Sequence, residues 1–305
     1  MAAVQGRERL PLAGILLLAA VTFFWGINWP VMKTVLAHIS VWWFRAICLW
    51  VAGIGLLLIA RLGGHTLAVA RVDRWPMVIL CVFNVVGWHL CSAYGLSLMP
   101  AGRAAIIAFT MPVWASVLGL WLLREPLGGH KVLGLVLGVT GLVVLMGGDL
   151  SLVERAPVGA LVMLGAALTW AMGTVLIKRY RWRTPAPTLV GWHLVLGALP
   201  LTAGALAFEP IPDFADLDAA TWAMFLFILM GPTLFCQWAF FRIVQLLPAT
   251  TAAIGTLAIP AIGVYSSALT LGEPVGWQEV VALALICGAL ASVLILPNLR
   301  RRPAA

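Results

Sequence analysis

Charge is what this sequence has least of. Only 10% of its 305 residues are charged and 63% are hydrophobic, with a mean hydropathy of +1.04. Soluble domains carry about 25% charged and about 45–50% apolar residues. Too few charged side chains are present to coat a water-soluble globule of this length. An ordinary cytosolic enzyme, a disordered tail protein and a DNA-binding module are thereby excluded, leaving a polytopic membrane protein. Acidic residues are the scarcest: 11 Asp and Glu stand against 19 Lys and Arg, a net charge of +8. That excess does not point to nucleic acid, because the basic residues cluster between long apolar runs. The clusters are Arg71/Arg74, Lys178/Arg179/Arg181/Arg183 and Arg300/Arg301/Arg302, which is how cytoplasmic loops of membrane proteins are built.

Paired cysteines are missing as well. Cys48, Cys81, Cys91, Cys236 and Cys287 all lie inside apolar runs and none forms a C-x-x-C pair, so neither a disulfide framework nor a zinc site is expected. There is no G-x-S-x-G, H-E-x-x-H, P-loop or EF-hand signature, and Ser266 and Ser267 have no evident catalytic partner. No cofactor or metal is expected, and an intramembrane enzyme is disfavoured.

What is present is length of apolar chain. A helix needs about 20 apolar residues to cross a hydrocarbon core about 30 Å thick. Ten stretches qualify: 11–33, 41–60, 76–98, 101–123, 130–148, 158–178, 188–208, 221–245, 249–271 and 277–297. The longest polar stretch, 61–75, is too short to be a domain, so function must lie among the helices. Arg7 and Arg9 before an apolar run resemble a signal peptide. The run continues into Trp25-Gly26-Ile27-Asn28-Trp29-Pro30 without a small-residue cleavage pattern, so a retained first helix is expected. With both termini cytoplasmic, 15 of the 19 basic residues fall inside; Lys33, Arg103 and Arg155 fall outside, and Arg45 lies within the second span. The bias sets the expected orientation of a multi-pass membrane protein. The acidic stretch 209–218, which has no basic residue, then faces outward.

The chain repeats itself. Residues 100–126 and 248–274 align at an offset of 148 without a gap, and nine of 27 positions are identical. Shared apolar composition does not align Pro100, Pro112 and Glu125-Pro126 with Pro248, Pro260 and Glu273-Pro274. Trp25 and Lys33 are spaced eight apart, as are Trp170 and Lys178. The chain is therefore expected to be two five-helix units, 1–148 and 158–297, followed by a basic cytoplasmic tail, 298–305. Five is odd, so the second unit enters the membrane from the opposite side. Such inverted repeats are common in secondary transporters, whose substrate sites lie near the midplane between the halves.

The order of motifs resembles the drug/metabolite transporter superfamily, specifically its ten-helix EamA-type exporters. The matching pieces are Phe24-Trp25-Gly26 with Asn28, Arg45, Tyr94 through Pro100-Ala101, Pro112, Glu125-Pro126 and Gly134/Gly138/Gly141. Trp170 to Lys178 and Pro260 to Pro274 repeat the set. The resemblance covers nearly the whole chain and implies a metabolite or drug exporter of a bacterial-type inner membrane. Within the superfamily the chain is most similar to the aromatic amino acid exporters.

Candidate site residues come from polarity and breaks inside the spans. Pro112 and Pro260 each remove a helix hydrogen bond and are expected to free the carbonyls of Ala108 and Thr256 toward protein or a water-filled cavity. Gly231-Pro232 should break the eighth helix; the counterpart of Pro232 is Asn84. His89 and Gln237 correspond at the 148 offset, each polar and near mid-depth, where such side chains face a bundle interior. Trp25 and Trp170 lie midway along their spans rather than at the headgroup belts, where Trp42, Trp43, Trp50, Trp75, Trp222 and Trp277 are expected. Trp25, Asn28 and Trp29 share a helix face. Tyr265 and, more weakly, Tyr94 complete the set. For most of these residues a packing role competes with the functional one. Glu125-Pro126 and Glu273-Pro274 read as structural, the proline ending one helix and the glutamate starting the next.

No span has Asp or Glu near its middle. The four-helix multidrug pumps of the superfamily use such a glutamate for proton–drug exchange, so carboxylate-based coupling and a cationic substrate are disfavoured. His89 and His193 remain as groups that titrate near neutrality. Phosphorylated substrates are disfavoured because Lys33, Arg45 and Arg103 are read as lying toward the outer ends. The expected substrate is a neutral or zwitterionic small metabolite, amino acids including aromatic ones, lined by Trp25, Asn28, Asn84, His89, Trp170, Gln237 and Tyr265. A multidrug exporter of the same fold and a passive channel-like facilitator are the competing readings. The expected partners are this substrate and the lipid bilayer; a monomer suffices, and the oligomeric state is left open.

Overall fold

The computed structural model of the chain describes residues 11–124, 128–147, 156–247 and 249–296. Expectations resting on Arg7, Arg9, Glu125-Pro126, Arg155, Pro248 and the tail 298–305 with Arg300/Arg301/Arg302 lie outside the described residues. Every regular element described is helical. Eight stretches are long and apolar enough to cross a membrane, and two shorter apolar helices complete ten.

Six of the ten are unbroken: α1 (Leu12–Leu36), α2 (Val41–Leu62), α5 (Gly129–Gly147), α6 (Ala156–Arg179), α7 (Ala186–Phe208) and α10 (Trp277–Leu294). The other four are interrupted, in two matched pairs. Helix α3 runs Arg74–Cys81, widens into a π-helical stretch at Val82–Gly87, and resumes at Trp88–Ser97. Helix α8 does the same, with Ala219–Ile228, a π-helical stretch Leu229–Phe235, and Cys236–Leu246. Helix α4 is split into Ala101–Ala108 and Met111–Leu122, and α9 into Ala249–Thr256 and Ala258–Leu271. At the 148-residue offset, Val82–Gly87 falls on 230–235 and the Phe109–Thr110 break falls on 257–258. The repeat in sequence is a repeat in helix defects.

The breaks do not lie where proline chemistry alone puts them. Pro112 is the second residue of Met111–Leu122, and Pro260 lies in the first turn of Ala258–Leu271. A proline in a first turn forfeits no bond, because that N–H has no intrahelical partner. Each proline therefore opens a new helix instead of kinking an old one. The breaks expected at Pro112 and Pro260 thus fall at Phe109–Thr110 and at Leu257, a few residues ahead of each proline.

Packing obeys a two-fold exchange between the halves. Helix α2 packs along α7, its own counterpart, and α5 along α10, likewise. The remaining contacts swap: α3 packs on α6 as α8 packs on α1, and α4 on α6 as α9 on α1. Lipid offers no hydrophobic drive for helix association, so close approach through small residues carries the packing. At the α2–α7 crossing a methyl on Gly53 would press on the Val195 amide and one on Gly191 on the Leu57 amide. The Gly134/Gly138/Gly141 stripe of α5 faces Val293 and Ser292, Val113, and Ile286 respectively, as expected for a contact face.

Helix starts are capped across the repeat. Glu209, just after α7, accepts from Ser40 Oγ (2.5 Å) and from the amides of Trp42 (3.5 Å) and Trp43 (3.4 Å) at the start of α2. Asp73, which follows α2, accepts from the amides of Arg183 (3.0 Å) and Thr184 (2.7 Å) and from Thr184 Oγ1 (2.6 Å) just before α7. Glu273, at the end of α9, accepts from the amides of Ala101 (2.7 Å) and Gly102 (3.0 Å) that open α4. Glu273 was expected to start the following helix; it starts one in the other half, and Glu279 caps α10 through the Gly276 amide (2.8 Å).

Candidate functional site

The broken helices and the unbroken α1 and α2 enclose a central cavity of about 170 Å³. Helix α1 contributes Trp25, Asn28, Trp29 and Met32, spaced by three, four and seven residues and so on one face. Helix α2 presents Arg45, Leu49 and Ala52. Trp88, His89 and Ser92 come from the turn after the α3 π-stretch, and Pro232, Thr233 and Gln237 from the π-stretch of α8 and the turn beyond it. Phe109 and Met111 flank the α4 break, Ile259 follows the α9 break, and Trp170 projects from α6. The paired α5 and α10 contribute nothing to the lining.

A π-turn widens the helix and leaves carbonyls without their usual amide, which is why such turns recur at functional sites. In α8 the Trp25 indole N–H donates to the carbonyl of Pro232 at 3.1 Å, fixing the ring across the cavity wall. Trp170 stacks edge-to-face on Trp88, with ring centroids 4.9 Å apart at 60°, and Trp25 lies 5.6 Å from Phe240.

The polar atoms are few. Asn28 Oδ1 and His89 Nδ1 are buried and have no hydrogen-bond partner among the described residues. Unpaired buried polar groups are costly, and both of these residues line the cavity. Arg45 is 7% exposed; its Nε donates to the His89 carbonyl (3.0 Å) and its Nη2 to Ser92 Oγ (2.8 Å). One residue past Met32, Lys33 Nζ donates to the Met99 carbonyl (2.6 Å) and pairs with Glu273 (3.3 Å). Arg103 pairs with Glu279 at 2.7 Å near the same end. These contacts tie α1, α4, α9 and α10 together where α1 ends and α2 begins.

Five of the seven expected lining residues share this cavity: Trp25, Asn28, His89, Trp170 and Gln237. Asn84 does not reach it; the side chain lies against α6, where a methyl on Gly173 would collide with it. Tyr265 is 51% exposed on the outer face of α9 and is likewise outside, as is Tyr94, which is 37% exposed. Arg45, read as lying toward the outer end, is the fifth residue of α2 and also stands in the cavity wall. Sequence reasoning also passed over Trp88 and Ser92. A charged residue inside a span is a functional pointer by itself, and that signal was available for Arg45. Ser266 and Ser267 both donate to the Gly263 carbonyl (3.2 and 2.6 Å), which leaves them as helix back-bonds.

A family model described as the EamA-like transporter family matches the chain twice, over residues 12–147 and 157–295. The chain belongs to that family. The uncharacterized transporter YvbV of Bacillus subtilis is 30% identical to this EamA-like transporter over 288 residues, covering 91% of the chain and 90% of the relative. The uncharacterized transporter YoaV of the same organism is 26% identical, covering 88% and 92%. A probable amino-acid metabolite efflux pump of Salmonella typhimurium is 25% identical, covering 88% and 91%. One crystal structure superposes with a TM-score of 0.67 at 20% identity, covering 96% of the chain and 99% of the other, which shows the shared fold. The EamA-like chain is thus a multi-pass membrane transporter, of a family of transporters rather than enzymes.

Proposed function

We propose that this EamA-like transporter exports neutral or zwitterionic small metabolites, amino acids including aromatic ones, by alternating access through the central cavity. The observation that carries this reading is the cavity wall itself. Four tryptophans, Trp25, Trp29, Trp88 and Trp170, surround the buried and unpaired Asn28 Oδ1 and His89 Nδ1. Aromatic walls with a few fixed polar atoms suit a guest with an apolar body and one polar end. Trp25 and Trp170 supply stacking surface. Asn28, His89 and Gln237 bond the polar end. Among the described residues no Asp or Glu lines the cavity, which leaves a permanent organic cation without an ionic partner there. Two relatives bearing the description "probable amino-acid metabolite efflux pump" point the same way.

In this reading both termini are cytoplasmic and the two repeats, 1–148 and 158–297, rock against each other in the plasma membrane. The Lys33–Glu273 contacts then close the outer end, and transport requires them to part. The test is efflux from proteoliposomes loaded with labelled Phe, Trp, Met, Thr, Lys, a nucleoside and a lipophilic cation, with and without a pH gradient. Saturable efflux of neutral amino acids with counterflow, indifferent to the gradient, is the expected result. Gradient-driven movement of the lipophilic cation alone would overturn it in favour of a drug antiporter, and non-saturable flux without counterflow would mean a channel-like facilitator.

A further inference from the structure

We propose that Arg45 is the specificity-determining residue of the cavity and binds a substrate carboxylate, so that an anionic carboxylate group is required for recognition. The inference rests on the reading of this cavity as the transport site and names the chemistry that it selects.

The argument starts from charge in a membrane interior. Arg45 lies on α2 within a span, lines the cavity and is 7% exposed. A buried guanidinium is stable only when its charge and its five donors are answered. Here its bonds are to neutral groups, the His89 carbonyl and Ser92 Oγ. The ion pairs Lys33–Glu273 and Arg103–Glu279 do not involve Arg45, and among the described residues no carboxylate pairs with it. Its remaining donors carry no hydrogen bond among the described residues. The protein thus holds a positive charge against the cavity, fixes its plane with two bonds from α3, and leaves the counter-ion to be supplied.

The chemistry of the counter-ion follows from the fork. A planar guanidinium binds a carboxylate through two parallel N–H bonds, which sets the orientation of the bound group. The cavity holds one such cation, flanked by tryptophans, which matches a monoanionic carboxylate on an apolar or aromatic body better than a doubly charged phosphate. Asn28 Oδ1, unpaired in the same cavity, supplies an acceptor for an ammonium group. An α-amino acid satisfies both. A simple aromatic carboxylate satisfies Arg45 alone, and an amine satisfies Asn28 alone.

A competing explanation makes Arg45 a brace between α2 and α3, and the test must separate the two. The full-length chain in detergent micelles is titrated with matched pairs of equal size, followed by the fluorescence of the cavity tryptophans. The pairs are phenylalanine with phenylalaninamide, and phenylpropionate with phenylpropylamine. Carboxylates should bind at least about tenfold more tightly than their partners, the discrimination of one charge-assisted bidentate contact. Arg45→Gln should erase that preference while keeping the hydrogen bond to the His89 carbonyl within reach, and Arg45→Lys should retain part of it. Thermal unfolding of both variants controls for lost packing. Binding of phenylpropionate but not phenylalanine would leave Arg45 in its role and overturn the amino acid reading. Equal or tighter binding of the amide and amine, an unchanged preference in Arg45→Gln, or no binding of any carboxylate would each overturn the proposal.

Discussion

At the scale of single residues, the tryptophans of the cavity do different work. Trp170 stacks on Trp88 and its indole makes no hydrogen bond among the described residues, whereas Trp25 is tied to the Pro232 carbonyl. Trp170→Ala should therefore abolish most transport while the protein inserts and folds normally; unchanged efflux in a correctly inserted variant would remove Trp170 from the site. Trp25→Phe keeps an aromatic side chain, though a smaller one, and loses a hydrogen bond worth about 0.5–1.5 kcal/mol, so it should lower both thermal stability and transport, measured on the same reconstituted sample. Glu273 answers three donors: Lys33 Nζ and the amides of Ala101 and Gly102. Glu273→Ala leaves the two amides without that acceptor and Lys33 with the Met99 carbonyl alone, and a loss of about 1–3 kcal/mol follows; a melting temperature equal to the parent's would contradict that geometry.

Elements obey a simpler logic, and most of them were legible from sequence. Twenty apolar residues in a row have one use in a membrane, so the ten spans followed from hydropathy. The repeat followed from three aligned prolines and a Glu-Pro pair. What hydropathy does not encode is the rotation of a helix about its axis. Asn84, inside the widened stretch Val82–Gly87, faces α6, while His89, five residues on, faces the cavity. Depth was misjudged for a related reason. The cavity is displaced toward the end where α2 begins, so Arg45, the fifth residue of α2, reaches it. The prolines show how an element's ends decide a residue's meaning. Pro112 sits in a first turn, so Pro112→Ala should change stability by less than about 1 kcal/mol and leave transport near normal. Pro232 sits inside the π-stretch whose carbonyl holds Trp25. Pro232→Ala restores an amide, favours a regular turn and should displace Trp25, raising the KM for substrate several-fold. Equal effects of the two substitutions would show that the α4 break depends on its proline after all.

The whole molecule is two similar halves that complete one another. Helix α2 cannot cap its own start; it uses Glu209 from beyond α7, and the chain ahead of α7 uses Asp73 from beyond α2. That exchange has a consequence for biosynthesis. When the ribosome has finished the first five helices, the amides of Trp42 and Trp43 have no acid to meet, because Glu209 lies 62 residues beyond Gly147, the end of α5. The early half must wait in the bilayer with a bare helix start, held by lipid headgroups and water. Expressed alone, residues 1–148 should be degraded quickly; co-expressed with 156–305, the two fragments should be recovered together. Glu209→Ala should lengthen the interval during which the nascent chain is open to membrane proteases, visible in pulse–chase labelling as slower acquisition of resistance. The last half to be synthesised then acts as the folding template for the first.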